Sequence, residues 1–316
     1  MPRIALLAEL VRSGLVEGQH FGHAVIVDPA GGIDASWGDP QAVIFPRSAN
    51  KPVQAAAMVL AGLRLAPRLL ALAASSHSGE PDHLDGVRQI LAGAGLVEGN
   101  LRTPPDYPLD PVERDAWVRA NRNPVPVAMN CSGKHAAMLA TCVVRDWSLP
   151  DYRSPEHPLQ RAIAARLSAL AGEPVQATGV DGCGAPVLAL TVAGLARSLS
   201  AMAVAEQGSA EFEVAAAMRA HPRMVGGSRR EVSALMDAVP GLLIKDGAEG
   251  VFAAALPDGQ ALAIKVLDGS ERARLVVLAD LLERMGVPGE PLAGYRQVPV
   301  YGGGEVVGSV RSALTT

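Results

Sequence analysis

Apolar positions along this chain change their period twice, and the changes divide it into three stretches. Near the start, His23-Ala24-Val25-Ile26-Val27-Asp28 is a β-branched run closed by Pro29-Ala30-Gly31-Gly32, the pattern of a strand and its turn. A second short strand is expected over 42–45. From residue 51 to about 171 the spacing is mostly helical. Pro52 sits where a first helical turn tolerates it, Asp82 is a candidate N-cap for 84–96, and Ser132 or Gly133 opens a segment to 144. Thr103-Pro104-Pro105-Asp106-Tyr107-Pro108 reads as a loop. Helical patterning continues through 160–171, 187–196 and 211–220, with Pro186 placed to start the second of these. Strand patterns return at 242–244, 251–255 and 261–267, followed by a helix from Ser270 to about Met285 and a glycine-rich hairpin over 298–310.

Strands at both ends with helices between them predict an α+β fold, a sheet drawn from both termini and a helical middle. No repeat or low-complexity linker interrupts the chain, so the expected organisation is one unit over 1–316. Approximately 1–75 and 240–316 form its sheet part, and approximately 76–239 its mainly helical part.

Composition sharpens this picture. About half of the 316 residues are hydrophobic but only 3% are aromatic, so Ala, Leu and Val must build a core of closely packed helices. A formal net charge of -4 favours neither nucleic acid nor an anionic membrane as a partner. Arg3, Glu9 and Arg12 interrupt the N-terminal stretch, which therefore lacks the apolar core of a signal peptide, and no uncharged run is long enough to span a bilayer. Three cysteines, Cys131, Cys142 and Cys183, suit reduced thiols and point to the cytoplasm.

Candidate chemistry is concentrated where polar and glycine residues break apolar surroundings. In Arg47-Ser48-Ala49-Asn50-Lys51 a serine precedes a lysine by three residues at a helix entrance. Positions i and i+3 share a face, so the Ser48 hydroxyl and Lys51 amine can meet, and a desolvated amine can activate the hydroxyl. The same spacing also fits a helix start with a surface lysine. Ala74-Ser75-Ser76-His77-Ser78-Gly79-Glu80 either lines a polar pocket or turns the chain. Asn130-Cys131-Ser132-Gly133-Lys134-His135 fails the phosphate-loop pattern and leaves a thiol near a lysine and a histidine at a helix start. In Asp181-Gly182-Cys183-Gly184-Ala185-Pro186 glycines flank a second thiol. Cys131 and Cys183 could share a metal with one further donor from His135, Asp181 or a neutral Lys134, whereas Cys142 reads as core. Lys245 and Lys265 each leave a strand into a glycine turn, the position of an active-site lysine or of an ordinary hairpin.

Taken in order, these clusters resemble the rhizobial-type (class 3, "thermolabile") L-asparaginase family, and the resemblance runs from Glu17 and His20 to Arg272-Ala273. It implies a serine β-lactamase-like fold in which helices pack on an antiparallel sheet. It also implies hydrolysis of L-asparagine to L-aspartate and ammonia, and a homodimer. Of the family's two Ser–Lys pairs, the first falls on Ser48 and Lys51. The second falls on Ser76 and Lys245, with Ser78 and Lys265 as alternatives. The family's zinc ligands correspond to Cys131, Lys134 and Cys183, with Asp181 close by, and Arg47, His77 and Asp181 are expected to bind substrate. Glu17-Gly18-Gln19-His20 departs from the usual Glu-Ser-x-His, and Ser75 stands where a cysteine is common. A penicillin-recognising enzyme is the nearest rival, but neither Ser-Asp-Asn nor Lys-Thr-Gly occurs. A zinc-clamped binding protein without catalysis is the other.

Overall fold

The computed structural model describes residues 3–315, so Met1, Pro2 and Thr316 lie outside the described residues. Its chain opens with strands β1 (Ala5–Arg12), β2 (Leu15–Val27), β3 (Ile33–Trp37) and β4 (Val43–Ile44). Six helices follow: α1 (Lys51–Leu60), α2 (Pro67–Ala73), α3 (Pro81–Gly93), α4 (Pro111–Arg119), α5 (Ser132–Arg145) and α6 (Pro158–Ala171). A hairpin, β5 (Ala177–Val180) and β6 (Pro186–Thr191), precedes α7 (Val192–Ala203), α8 (Ala210–Ala220), α9 (Pro222–Gly226) and α10 (Glu231–Ala238). The chain closes with β7 (Leu243–Gly247), β8 (Val251–Ala255), β9 (Ala261–Val266), α11 (Glu271–Arg284), α12 (Gly289–Leu292), β10 (Gln297–Gly302) and β11 (Glu305–Ser312).

The strands of both chain ends form one antiparallel sheet in the order β10-β11-β1-β2-β9-β8-β7, with β3 also paired to β2. This is the α+β arrangement expected. β8 is buried along its whole length and β9 almost so, which requires cover on both faces, and α7 and α11 pack against them. Alanine at Ala253, Ala254 and Ala255 lets those layers approach closely without aromatic filling. A smaller antiparallel sheet, β4-β6-β5, lies beside the helical layer.

Three expectations are corrected. The stretch 187–196 is not one helix: Val187-Leu188-Ala189-Leu190 lies in β6, and α7 starts at Val192 after Thr191 caps it. Pro186 accordingly opens a strand, paired with Val180, and not a helix. Asp82 lies within the first turn of α3, whose N-cap is Glu80, closed by a capping box with His83. β1, β3 and the first half of β2 were not visible as apolar runs because their side chains are largely half-buried or exposed. Among the described residues no helix is long and apolar enough to cross a membrane.

Candidate active site

Arg47–Asn50 form a single turn of 3-10 helix that runs straight into α1 at Lys51. Arg47 opens it with φ +52°, a left-handed backbone that a non-glycine residue keeps only where its surroundings impose it. Two neighbours do so. Arg47 Nε donates to Asp181 Oδ1 at 2.8 Å, anchoring the side chain. Gly247, at the end of β7, packs against the turn so closely that a Cβ would stand 2.5 Å from the Pro46 carbonyl oxygen. The turn and the end of β7 therefore fit together only because residue 247 is glycine.

This packing brings two lysines to one hydroxyl. Lys51, 1% exposed, reaches past its own turn and donates to Ser75 O at 2.6 Å and Ser76 Oγ at 3.1 Å. Lys245, fully buried on β7, donates to Ser76 Oγ at 2.9 Å, to Asp246 O at 2.9 Å and to the Asp246 carboxylate. Ser48 is half-buried, and among the described residues no hydrogen bond engages its hydroxyl or joins it to Lys51. The expected contact within the Ser48–Lys51 turn is thus replaced by a Lys51–Ser76–Lys245 chain. With an amine on each side, the Ser76 proton can pass to whichever lysine is neutral.

Electrostatics favour that exchange. Burial pushes Lys245 down to about 8, Lys51 and Arg230 push the same way, and Asp246 opposes them. Burial alone would raise Asp246, but Arg230, Lys245 and Arg274 hold it well below the usual carboxylate range. Ser78 instead donates to Gly226 O, and the half-buried Lys265 donates to the Glu249 carbonyl, so neither joins the cluster. His77 is buried with its Nε2 on Ser132 Oγ at 2.8 Å. Ser132 in turn donates to Val127 O, so Nε2 of His77 carries the proton. The ring stacks on His83 and makes no hydrogen bond to Ser48 or Ser76; burial first, and nearby cations second, hold its pKa well below the ordinary value.

The cysteines converge beside this chain. Cys131 caps α5 and Cys183 lies in the tight β5–β6 turn, and both pack with Met129 and Ala185 in a small buried cluster. Lys134 Nζ donates to Cys183 Sγ at 3.2 Å, and Asp181 Oδ2 lies 3.8 Å from the same sulfur. The thiol of Cys131 is held well below its usual value, chiefly by a hydrogen bond with Cys183, while that of Cys183 is raised, since adjacent thiols hold one negative charge more easily than two. Lys134 is raised: burial disfavours its charge, but Cys183, Cys131 and Asp181 outweigh burial.

A metal here would have to use this mixed set. Among the described residues no group of three or more His, Cys, Asp or Glu side chains gathers for a metal ion. His135 is turned away, its Nδ1 on Tyr152 at 2.7 Å. Two sulfurs and an amine nitrogen, all buried and converging, fit zinc as three protein donors with one open position, provided that binding displaces the protons of Lys134 and the thiols. Cys142 is fully buried in the core, and its thiol is pushed up to about 12 by burial.

Sequence patterns did not single out Arg230 or assign a role to Asp246. Arg230 donates to Ser76 O at 2.6 Å and Asp246 Oδ2 at 2.5 Å. A signal for the lysines does exist in the composition. The chain holds only four, at 51, 134, 245 and 265, against twenty-four arginines, and the first three are buried together. Clefts of about 500 Å³ elsewhere, such as that between α1, α5 and α6, are lined mainly by apolar side chains and contain none of these groups.

The family model described as L-asparaginase II matches residues 8–312. Comparison with curated protein sequences finds no match. Among solved structures, the chain is similar to a β-lactamase from Mycobacterium bovis, at 17% identity over 83% of this chain and 94% of that one, with a TM-score of 0.38. It is also similar to Mglu in its native form (15% identity, 87% of this chain, 68% of that one, TM-score 0.37). A third is EstCE1, a hydrolase with promiscuous acyltransferase activity (12% identity, 81% and 92%, TM-score 0.41). The family match, not these distant overlaps, carries the assignment.

Proposed function

Because the chain belongs to the L-asparaginase II family, a family of amidohydrolases, we propose that it hydrolyses the side-chain amide of L-asparagine to L-aspartate and ammonia through a serine acyl-enzyme. The observation that carries the mechanism is the Ser76 hydroxyl held between two buried lysine amines, one of which, Lys51, lies one turn along from the half-buried, unengaged Ser48. A nucleophile must be reachable by its substrate: Ser48 is half-buried with its hydroxyl unengaged, whereas Ser76 is 2% exposed and accepts from both lysines.

Ser48 Oγ attacks the amide carbon as the Lys51 amine, one turn along, swings from the Ser75 carbonyl toward it and takes its proton. The Lys51–Ser76–Lys245 chain then carries a proton to the amide nitrogen as the C–N bond breaks, releasing ammonia. Water next attacks the acyl carbon, gives its proton back through the same chain, and restores the Ser48 hydroxyl. The backbone N–H of Ser48 is available for the oxyanion. Arg47, held by Asp181, would receive the substrate carboxylate. Cys131, Lys134 and Cys183 would hold a zinc ion, which would supply Lewis-acid polarisation of the amide carbonyl or clamp the two segments.

Ammonia release from L-asparagine, with intact-mass detection of an acyl adduct, tests this assignment. Ser48→Ala should abolish both the adduct and turnover, and Ser76→Ala should slow both by roughly 10²–10⁴-fold. An adduct that persists in Ser48→Ala and vanishes in Ser76→Ala makes Ser76 the nucleophile. Unchanged turnover in both variants sinks the Ser–Lys mechanism altogether.

A further inference from the structure

One charge in contact with the site has no part in the steps above. Arg230 precedes α10, and its side chain is 15% exposed. Its two guanidinium nitrogens reach Ser76 O and Asp246 Oδ2, while Lys245 holds the other oxygen of that carboxylate. A single cation thus touches the backbone of the shared serine and the counter-ion of its second lysine. The preceding loop is built to deliver it. Gly227 has φ +104° and packs where a Cβ would meet Ser78 Oγ at 2.3 Å, and Ser228 donates from both its N–H (2.7 Å) and its hydroxyl (3.0 Å) to Glu80.

We propose that Arg230 is a positioning residue of the amide-hydrolysis site, which by sharing the Asp246 carboxylate with Lys245 weakens that carboxylate's hold on an ammonium and lets Lys245 serve Ser76 as a neutral amine. This rests on the Ser–Lys reading given above. Without Arg230, the Asp246 carboxylate would keep Lys245 as its only direct side-chain partner, and one cation facing Lys245 would be gone. Both changes stabilise the ammonium form.

The charged groups acting on Lys245 are few. They are Asp246 on its own strand, Lys51 from α1 and Arg230 from the start of α10, while β8 presents only Ala253 opposite. Arg274 from α11 acts on Asp246, and Glu231 and Glu271 face Arg230. Burial is the largest influence on Lys245, and a smaller side chain at 230 can only relax it by admitting water, which acts in the same direction as the two charges. Loss of Arg230 raises the pH at which Lys245 gives up its proton, by about 1 unit.

Four lysines make this measurable directly. Protein carrying ¹³C at the lysine ε-carbons gives four NMR signals, and that of Lys245 is identified by its loss in Lys245→Met. In the wild-type protein it should titrate near 8. In Arg230→Gln it should titrate about 1 unit higher, and in Arg230→Lys between the two. The acid limb of kcat/KM for L-asparagine should move with it, so that Arg230→Gln regains activity at high pH. A folded Arg230→Gln whose Lys245 signal titrates as in wild type overturns the proposal, whatever its turnover. If that variant does not fold, an unshifted signal in Arg230→Lys does the same. The titration is read without turnover, so absence of ammonia release would refute the amide-hydrolysis reading and leave this test standing.

Discussion

Lys245 has exchanged water for a hydroxyl, a carbonyl and a carboxylate, and burial has pushed it down to about 8. A base acts in its neutral form, so kcat/KM for L-asparagine should rise with pH and level off above about 8; a profile already flat from pH 6 would exclude Lys245 as the neutral member of the proton chain. The stability consequence has the same sign. Between about 8 and the ordinary lysine value the unfolded chain binds the extra proton, so folding stability should rise with pH across that window. Lys245→Met should lower kcat by roughly 10²–10⁴-fold, whereas Lys265→Met, whose amine donates to the Glu249 carbonyl outside the cluster, should stay within a few-fold of wild type. Steady-state ammonia release at pH 8 separates the two. These distinctions were only half legible in the sequence. Spacing placed Ser48 and Lys51 on one turn, but it says nothing about where a four-carbon stem ends, and Lys51 crosses to Ser76. Ser76 and Ser78 lie two residues apart in an irregular segment, and only the tertiary partners distinguish them.

At the scale of elements, periodicity served best where one face of an element meets solvent. α6, α8 and α11 lie within a residue or two of their expected bounds, with Ser270 capping the last as anticipated, and α5, buried from Ser132 to Cys142, was found by its Ser-Gly opening instead. It failed at β6, where every residue is buried, because a short apolar run enclosed on both sides carries no period to distinguish strand from helix. The junction that matters most was also invisible. Nothing in Lys245-Asp246-Gly247 announces that its glycine is the seat for the Pro46–Ala49 turn. Gly247→Ala should force that turn aside, at a cost of about 1–3 kcal/mol and a melting temperature lower by several degrees. It should reduce turnover more than stability, since Ser48 rides on the displaced turn. Ala248→Ser, one residue on and exposed, should change neither. Circular-dichroism melts and ammonia release on both variants check this, and a stable, fully active Gly247→Ala would show that the turn does not depend on the contact.

For the whole molecule, the site exists only when distant parts of the chain have met. β1 pairs with β11 across the entire length of the chain, Lys245 comes from the returning sheet, and Ser48 from the segment leaving it. The thiols belong to two further segments, the start of α5 and the β5–β6 turn, which Lys134, Asp181 and Arg47 tie to the serine turn. A zinc ion held by Cys131, Lys134 and Cys183 would therefore stabilise the fold as well as the chemistry, because only the folded chain brings its ligands together. Protein purified without chelator should contain one zinc per chain by elemental analysis, and Cys183→Ala should contain none. At free zinc of about 100 Kd the stabilisation is about 2.7 kcal/mol, so chelation should lower the wild-type melting temperature by several degrees and leave Cys183→Ala unmoved. Equal melting of wild type with and without chelator, or zinc retained in Cys183→Ala, would place the metal elsewhere or nowhere. Turnover divides the two roles: if the chelated protein melts earlier yet still releases ammonia at the original rate, the ion is a clamp between α5 and the small sheet, and the serine and lysines carry the reaction alone.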